Sequence, residues 1–356
     1  MYNFSTDNGF TKVNVSIDDS QVYDSVKRYL GISDDTCDEG MQVWKIEGYN
    51  STYAIKNANR PSGEIKGEYG EKILEYHDGD CLVRLNCAND SVIKFLTPNY
   101  IQIYNPKKDG LFIDTYRAVR QILIQDLICR GGIVVHSSSI CYKGNGYLFI
   151  GSKGAGKTTA VFQYLCSDLE DVCYGSNERN ILIQKDGEIW VYGWLGVAFV
   201  GVGTIKSTIG LEKLYNMHEK SGGTAFWLSE HQLLEPQLLN HLIALGDNAY
   251  KITDKIWMTA DEIAFLTNRK ICNKFRLKGI IFPQFMQDVA QHIAVSNNDI
   301  HTEIITDLDF FSDWLNIGNG MRIPDNNHEL SEAIKKVQKI NISGKNLVTD
   351  LEQEIP

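Results

Sequence analysis

The segment Gly151–Thr158, with the sequence GSKGAGKT, constrains the fold of this chain more than any other feature. It matches the phosphate-binding loop pattern G-x-x-x-x-G-K-[ST] at every fixed position. The apolar run Tyr147–Ile150 precedes it and predicts a strand, and the residues from Lys157 to Cys166 have the spacing of an amphipathic helix. The sequence therefore predicts a strand–loop–helix unit within an α/β domain.

Each residue type in this loop has a mechanical role in binding a nucleoside triphosphate. Glycines allow successive backbone N–H groups to converge on phosphate oxygens, and the positive end of the following helix favours the same anion. We expect Lys157 to neutralise charge between the β- and γ-phosphates and the Thr158 hydroxyl to ligate Mg²⁺. The expected ATP-binding residues are Gly151, Ser152, Lys153, Gly154, Ala155, Gly156, Lys157, Thr158 and Thr159.

The usual second nucleotide motif, an apolar strand ending in Asp, does not follow at the familiar position. Residues 169–180 read LEDVCYGSNERN, which predicts a short strand ending near Asn177 and Glu178. This difference argues against a standard GTPase or an ABC or AAA-type ATPase. A degenerate loop without a ligand is the alternative, and the intact Lys157 and Thr158 count against it.

The segment from Arg130 to Arg179 resembles the HPr kinase/phosphorylase family, and especially its HPr-kinase-like relatives in peptide-modifying and natural-product clusters. The features that carry the resemblance are His136, Gly144, Gly146, Gly151 and the sequence Ser176-Asn177-Glu178-Arg179. The resemblance implies a mixed-sheet P-loop core of the phosphoenolpyruvate carboxykinase type. It also implies a kinase that uses ATP and Mg²⁺.

The same resemblance implies roles for three further residues. His136 would bind the transferring phosphate or tune the base, Glu178 would ligate Mg²⁺ or accept the proton of the acceptor hydroxyl, and Arg179 would stabilise charge on the γ-phosphate. Simpler interpretations stay open: a backbone-bonded turn histidine, and a carboxylate that only pairs with Arg179. The family's first acidic position is Asn177 here, which leaves the identity of the base open.

Sequence patterns divide the chain into three parts. Residues 1–109 predict a β-rich N-terminal domain with a possible role in substrate binding, 110–342 a nucleotide-binding kinase domain with a helical C-terminal part, and 343–356 a frayed polar tail. Strands are predicted at Val43–Ile46, Cys81–Leu85, Val92–Leu96 and Tyr100–Tyr104.

Within the second part, short connections predict that the strands before the loop pair antiparallel with one another. His136 would then reach the loop through this hairpin, and its ring would lie within roughly 10 Å of the Lys157 amine, close enough to act on one anion. Ser137–Ser139 are interpreted as polar positions of an edge strand. The predicted strands are Ile133–His136, Ser138–Tyr142, Tyr147–Ile150, Asn180–Gln184, Glu188–Val191 and Lys278–Phe282. The predicted helices are Leu111–Arg130, Lys157–Cys166, Leu211–Glu219, Glu235–Leu245, Ala260–Asn268, Asp307–Leu315 and Glu329–Gln338.

Composition restricts the partners. A net charge of −10 without a run of Lys or Arg argues against a nucleic-acid partner, although Arg117, Arg120 and Arg130 could bind phosphates. The apolar runs are too short for a membrane span, and the N-terminus does not resemble a signal peptide. Cysteines without metal-ligand spacing favour a reducing cytoplasm. A homo-oligomer stays open.

These observations predict an ATP-dependent and Mg²⁺-dependent phosphotransferase that acts on a hydroxyl, most simply Ser or Thr of a peptide or protein. A small-molecule kinase with the same core is one alternative. A regulatory protein that binds a nucleotide without phosphoryl transfer is the other.

Overall fold

In the computed structural model of the chain, the helices and strands form two compact units. The first lies within Met1–Gly131 and the second within Gly132–Ile304 and Asn326–Pro356. Each unit has its own sheets. The residues that the structure describes are 1–30, 41–55, 60–67, 70–194, 196–220, 227–228, 232–298, 315 and 327–355.

The first unit is an eight-stranded sheet flanked by helices. Its elements are β1 (Tyr2–Asp7), β2 (Thr11–Ile17), α1 (Ser20–Leu30), β3 (Gln42–Tyr49), β4 (Gly63–Lys66), β5 (Lys72–Asp78), β6 (Cys81–Asn86), β7 (Ser91–Thr97), β8 (Tyr100–Tyr104) and α2 (Lys108–Cys129). The strand order is β1-β2-β3-β8-β7-β6-β5-β4. The β2–β3 and β3–β8 pairs are parallel and the other pairs antiparallel.

Alternating burial along β2 and β3 identifies the face that the helices cover. Val13 and Val15 on β2 and Trp44 and Ile46 on β3 are buried, and the residues between them are more exposed. Helix α2 packs on this face, where Leu111 approaches Gly48. The β-rich N-terminal region and its predicted strands are thus present. The helix expected at the start of the kinase domain groups instead with the first unit.

The second unit contains the elements around the phosphate-loop sequence. They are β9 (Ile133–Val135), β10 (Ser137–Tyr142), β11 (Asn145–Ile150), α3 (Lys157–Leu165), β12 (Val172–Asn177), β13 (Asn180–Lys185), β14 (Glu188–Gly193), β15 (Ala198–Gly201), α4 (Val202–Thr208), α5 (Leu211–Lys220), β16 (Trp227–Leu228), β17 (Gln232–Leu233), α6 (Pro236–Ala244), a 3₁₀ helix (Gly246–Lys251), β18 (Lys255–Met258), α7 (Ala260–Thr267), β19 (Lys274–Phe285), β20 (His292–Val295), α8 (Asn327–Lys336), β21 (Gln338–Gly344) and α9 (Leu351–Glu354).

The larger sheet of this unit is mixed. Its strands run β12-β10-β11-β19-β14-β13-β9, and β21 and then β20 extend it beside β19. The β11–β19 and β19–β21 pairs are parallel, and the others are antiparallel. A smaller antiparallel sheet has the order β15-β18-β16-β17. The chain is therefore a mixed α/β protein with mixed sheets.

The prediction that the strands before the loop all pair with one another is half right. β10 and β11 form the expected antiparallel hairpin. β9 does not pair with β10 but with β13, at the other end of the strand order. The reason is that His136 alone connects β9 to β10, whereas the commonest tight hairpins need a two-residue loop.

The predicted helices of the second unit are present within two residues of their expected bounds, as α3, α5, α6, α7 and α8. Asp307–Leu315 lies outside the described residues except for Leu315. The expectation of a helical C-terminal part is wrong in one respect, because β18 to β21 complete both sheets there. No helix in the described part of the chain is long and apolar enough to cross a bilayer.

The prediction of a frayed tail is also wrong. Leu347, Leu351 and Ile355 are fully buried in the core of the second unit. These three apolar residues recur every four positions within an otherwise polar segment. The Glu352 carboxylate accepts a hydrogen bond of 2.7 Å from the Tyr147 hydroxyl, which ties α9 to the strand that leads into the phosphate loop.

Candidate functional site

The Gly151–Thr158 loop connects β11 to α3, as the sequence predicts. Gly154 and Gly156 have φ values of 90° and 100°, which a residue with a Cβ rarely adopts. A Cβ on Gly156 would also lie 2.7 Å from the Cβ of Phe285 at the end of β19. The Phe285 N–H donates to the Ala155 carbonyl at 3.0 Å. The end of β19 thus fixes the curvature of the loop.

Helix α3 begins at Lys157, so its unsatisfied N–H groups and the positive end of its dipole lie at the loop. Ser152, Lys153 and Gly154 are exposed. The Lys157 ammonium donates hydrogen bonds to the carbonyls of Gly151 and Ser152. These two hydrogen bonds hold the positively charged ammonium group against the backbone of the loop.

The first turn of α3 carries two hydroxyls. Thr158 is half-buried there, and the Thr159 hydroxyl lies 2.9 Å from that of Thr204 on α4. Thr159 thus ties α3 to the neighbouring helix, whereas Thr158 is the hydroxyl with the sequence position of a Mg²⁺ ligand.

His136 and Glu178 share the same electrostatic surroundings. Burial lowers the pKa of His136, and the positive charges of Lys157, Arg179 and Lys255 lower it further. Burial raises the pKa of Glu178, and Lys255, Arg179 and Lys157 partly oppose that rise. Two sequence-predicted groups from different strand ends therefore interact with the same three cations. The surroundings favour a neutral imidazole and make the carboxylate a stronger proton acceptor than an ordinary glutamate.

Lys255, one of the three cations that act on His136 and Glu178, was not indicated by the sequence. We call these five residues the cluster. Lys255 is an exposed residue at the start of β18, in the smaller sheet, and lies 98 positions after Lys157 in the chain. A lone lysine at the edge of a short strand has no motif around it. Only the tertiary structure places it with the residues of the phosphate loop.

A buried hydrogen-bond network holds the strand ends beneath the cluster. The Asn180 amide donates to the Ser137 hydroxyl at 2.9 Å, and its oxygen accepts from Ser139 and Ser176, both at 2.9 Å. The Ser176 hydroxyl, which has a single proton, also lies 3.1 Å from the carbonyl oxygen of Arg179. This network fixes the backbone on both sides of Glu178.

The interpretation of Ser137–Ser139 as edge-strand residues is wrong. β10 lies between β11 and β12, and all three serines are buried. Their hydroxyls are tolerated in the sheet because Asn180, Ser176 and Asn177 satisfy them.

The arginines of α2 and its end have partners within the first unit. Arg117 pairs with Glu71 at 3.0 Å, Arg120 lies over the Tyr116 ring, and Arg130 pairs with Asp126 at 3.0 Å. All three lie in the first unit, and Arg120 is buried there.

The residues fit a Mg²⁺ ion that is held mainly by its substrate. No group of three His, Cys, Asp or Glu side chains that could hold a metal is found among the described residues. Mg²⁺ commonly takes only one or two protein ligands and completes its shell with phosphate oxygens and water. The Thr158 hydroxyl and the Glu178 carboxylate are the oxygen donors that could supply these ligands.

The chain matches no family model and no curated protein sequence.

Proposed function

We propose that the protein is an ATP-dependent and Mg²⁺-dependent phosphotransferase of the HPr-kinase-like type, acting on a Ser or Thr hydroxyl of a peptide or protein. The observation that carries the proposal is that the positive charges of Lys255, Arg179 and Lys157 all act on the half-buried carboxylate of Glu178, and that Lys157 belongs to the glycine loop. Three cations suit a triphosphate, and one carboxylate of raised pKa suits the proton of a hydroxyl. The mixed sheet agrees with this lineage.

In the proposed reaction the loop N–H groups and Lys157 bind the β- and γ-phosphates. Arg179 and Lys255 stabilise the charge that develops on the transferring phosphoryl group. A bond forms between the acceptor oxygen and the γ-phosphorus, and the bond from that phosphorus to the leaving ADP oxygen breaks. The hydroxyl proton passes to Glu178. Thr158 would hold the Mg²⁺ ion directly and Glu178 through a bound water, and the ion would neutralise phosphate charge.

His136 has a supporting part in this proposal. Its pKa is lowered by burial and then by Lys157, Arg179 and Lys255, so the ring is neutral at neutral pH. A neutral imidazole can accept or donate a hydrogen bond without adding charge. We assign it to hold the phosphoryl group or Glu178 in position.

Binding is tested by thermal unfolding with and without ATP and Mg²⁺. A ligand that binds only the folded state raises the melting temperature by mass action. Lys157→Ala should remove most of this rise, and Lys185→Ala, which changes an exposed lysine at the end of β13, should retain it. An equal rise in the Lys157→Ala variant would contradict the assignment.

Transfer is tested by ADP release and by labelled phosphate on Ser-, Thr- and small-alcohol acceptors. Label on a hydroxyl peptide supports the proposal, and label on a small alcohol alone identifies a small-molecule kinase. Binding without turnover on any acceptor would favour a regulatory protein.

A further inference from the structure

Two buried polar groups on β12, one of them at the end of the strand, have no hydrogen-bond partner. Among the residues that the structure describes, four buried side-chain polar atoms are in this state, and the Asn177 amide nitrogen and the Tyr174 hydroxyl are two of them. Asn177 is 3% exposed. A buried donor without an acceptor destabilises the folded state. Asn177, which carries this donor, directly precedes Glu178 in the sequence.

The orientation of the Asn177 amide follows from its neighbour. The buried Ser138 hydroxyl donates to the Asn177 amide oxygen at 2.9 Å. The oxygen is therefore occupied, and the group left over is the N–H donor. A free donor suits an anionic oxygen and cannot ligate a metal ion.

Strand register shows which face of the sheet carries Asn177. Ile140, Phe149 and Tyr174 pack in one core with residues of α3, so their face of the sheet is the α3 face. Ser138 is two residues before Ile140 on β10 and pairs with both Phe149 and Asn177, which places it and Asn177 on that face.

Register also shows how close Asn177 is to the loop. Ser137 pairs with Ile150, the last residue of β11 before Gly151. Asn177 pairs with the next residue along β10, Ser138. The unsatisfied donor is therefore on the α3 face at the strand ends where the phosphate loop begins.

We propose that the Asn177 amide N–H binds a γ-phosphate oxygen of the bound nucleoside triphosphate. This inference rests on the proposed function and adds one residue to it. Asn177 stands where the resemblance places an acidic residue, and an amide there binds phosphate where a carboxylate would repel it. The anion supplies the acceptor that the protein itself does not.

The test is the affinity of the full-length protein for ATP and for ADP, each measured by calorimetry with Mg²⁺. Asn177→Ala should weaken ATP binding by roughly 10- to 100-fold, the usual effect of losing a hydrogen bond to a charged group, and leave ADP binding unchanged. Asn177→Asp keeps the shape and the acceptor for Ser138 but lacks the donor, so it should show the same selective loss and serves if the alanine variant does not fold.

Asn105→Ala is the matched control. Asn105, in the first unit, is an equally buried asparagine whose amide atoms all have partners within the protein. Its replacement should lower the melting temperature more than Asn177→Ala does, because it leaves several partners unsatisfied. It should not change the ratio of ATP to ADP affinity.

Two results would overturn the inference, and they are distinguishable. If wild-type protein binds both nucleotides in a Lys157-dependent manner and the ATP-to-ADP ratio of Asn177→Ala is unchanged, the inference fails and the proposed function stands. If wild-type protein binds neither nucleotide, both fail.

Discussion

At the residue scale, burial and charge act on Glu178 in opposite directions. Burial raises its pKa, and Lys255, Arg179 and Lys157 together reduce that rise without cancelling it. Without the cations, the carboxylate would be protonated over a wider pH range and would serve poorly as a base. Without burial, it would be an ordinary weak base. The site therefore combines both influences on a single side chain.

Glu178→Gln is expected to reduce phosphoryl transfer by roughly 10²-fold or more, because it removes the proposed proton acceptor and metal ligand with little change in shape. Initial rates with saturating ATP measure the effect. Glu170→Gln, at an exposed position before β12, should be close to wild type. Near-normal rates for Glu178→Gln would move the role of base to His136 or to another carboxylate.

The same substitution is expected to stabilise the protein in a pH-dependent way. The folded-state pKa of Glu178 is raised, so its stabilising contribution is fully present below the unfolded pKa and is lost as pH rises through the folded pKa. At neutral and alkaline pH, Glu178→Gln should therefore melt at a higher temperature than wild type, and the difference should shrink in acid. Melting curves between pH 4 and about 8 test this, and a difference independent of pH would contradict it.

Lys255→Ala is expected to shift the pH–rate profile. Lys255 is the largest of the charge effects that lower the pKa of Glu178. Its removal should raise the pKa of Glu178, so the increase in reaction rate should occur at a higher pH. ATP binding should also become weaker. Lys251→Ala, an exposed lysine in the preceding 3₁₀ helix, is the control. If the maximal rate falls but the pH dependence of the rate does not shift, Lys255 only binds substrate.

At the element scale, the strands on either side of the site depend on α9. The buried side chains of Leu347, Leu351 and Ile355 extend the core that α3 shares with β10 and β11. The Asp350 carboxylate accepts from the Tyr142 hydroxyl at 3.1 Å, and Glu352 accepts from Tyr147. The C-terminal segment thus supports the strand that ends in the phosphate loop.

Leu351→Ala is therefore expected to lower the free energy of unfolding by about 2–5 kcal/mol, since it opens a cavity in a fully buried position. Urea denaturation measures the change. Gln353→Ala, two residues along on the exposed side of α9, should change stability by about 0.5 kcal/mol or less. Equal, small effects for both variants would mean that α9 contributes little to the core.

At the scale of the whole molecule, curvature of the larger sheet brings together residues that are distant in strand order. Asn180 on β13 reaches the serines of β10, although β11, β19 and β14 lie between these strands in the sheet. The approach requires glycine: a Cβ on Gly193 of β14 would lie 3.0 Å from the Gly175 carbonyl oxygen of β12. This close packing places Glu178 and Arg179 beside the loop.

Much of the fold follows from local pattern. The loop with its strand and helix, the β13–β14 hairpin and the helices of the second unit are visible in the sequence, because short-range periodicity and turn residues specify them. The sequence does not reveal the position of β9, the interior location of β10 or the burial of the C-terminal segment. Strand pairing and burial depend on residues that are far away in the chain.

The sequence by itself determined the chemical groups of the phosphate loop, since Gly154, Gly156, Lys157 and Thr158 act through local backbone geometry and fixed spacing. The tertiary structure alone decided which groups share the space beyond the loop. It added Lys255, gave the arginines of α2 partners within the first unit, placed Glu178 in a half-buried position, and left the Asn177 amide nitrogen without a partner. Burial and charge–charge distances are properties of packed elements, and spacing along one chain does not encode them.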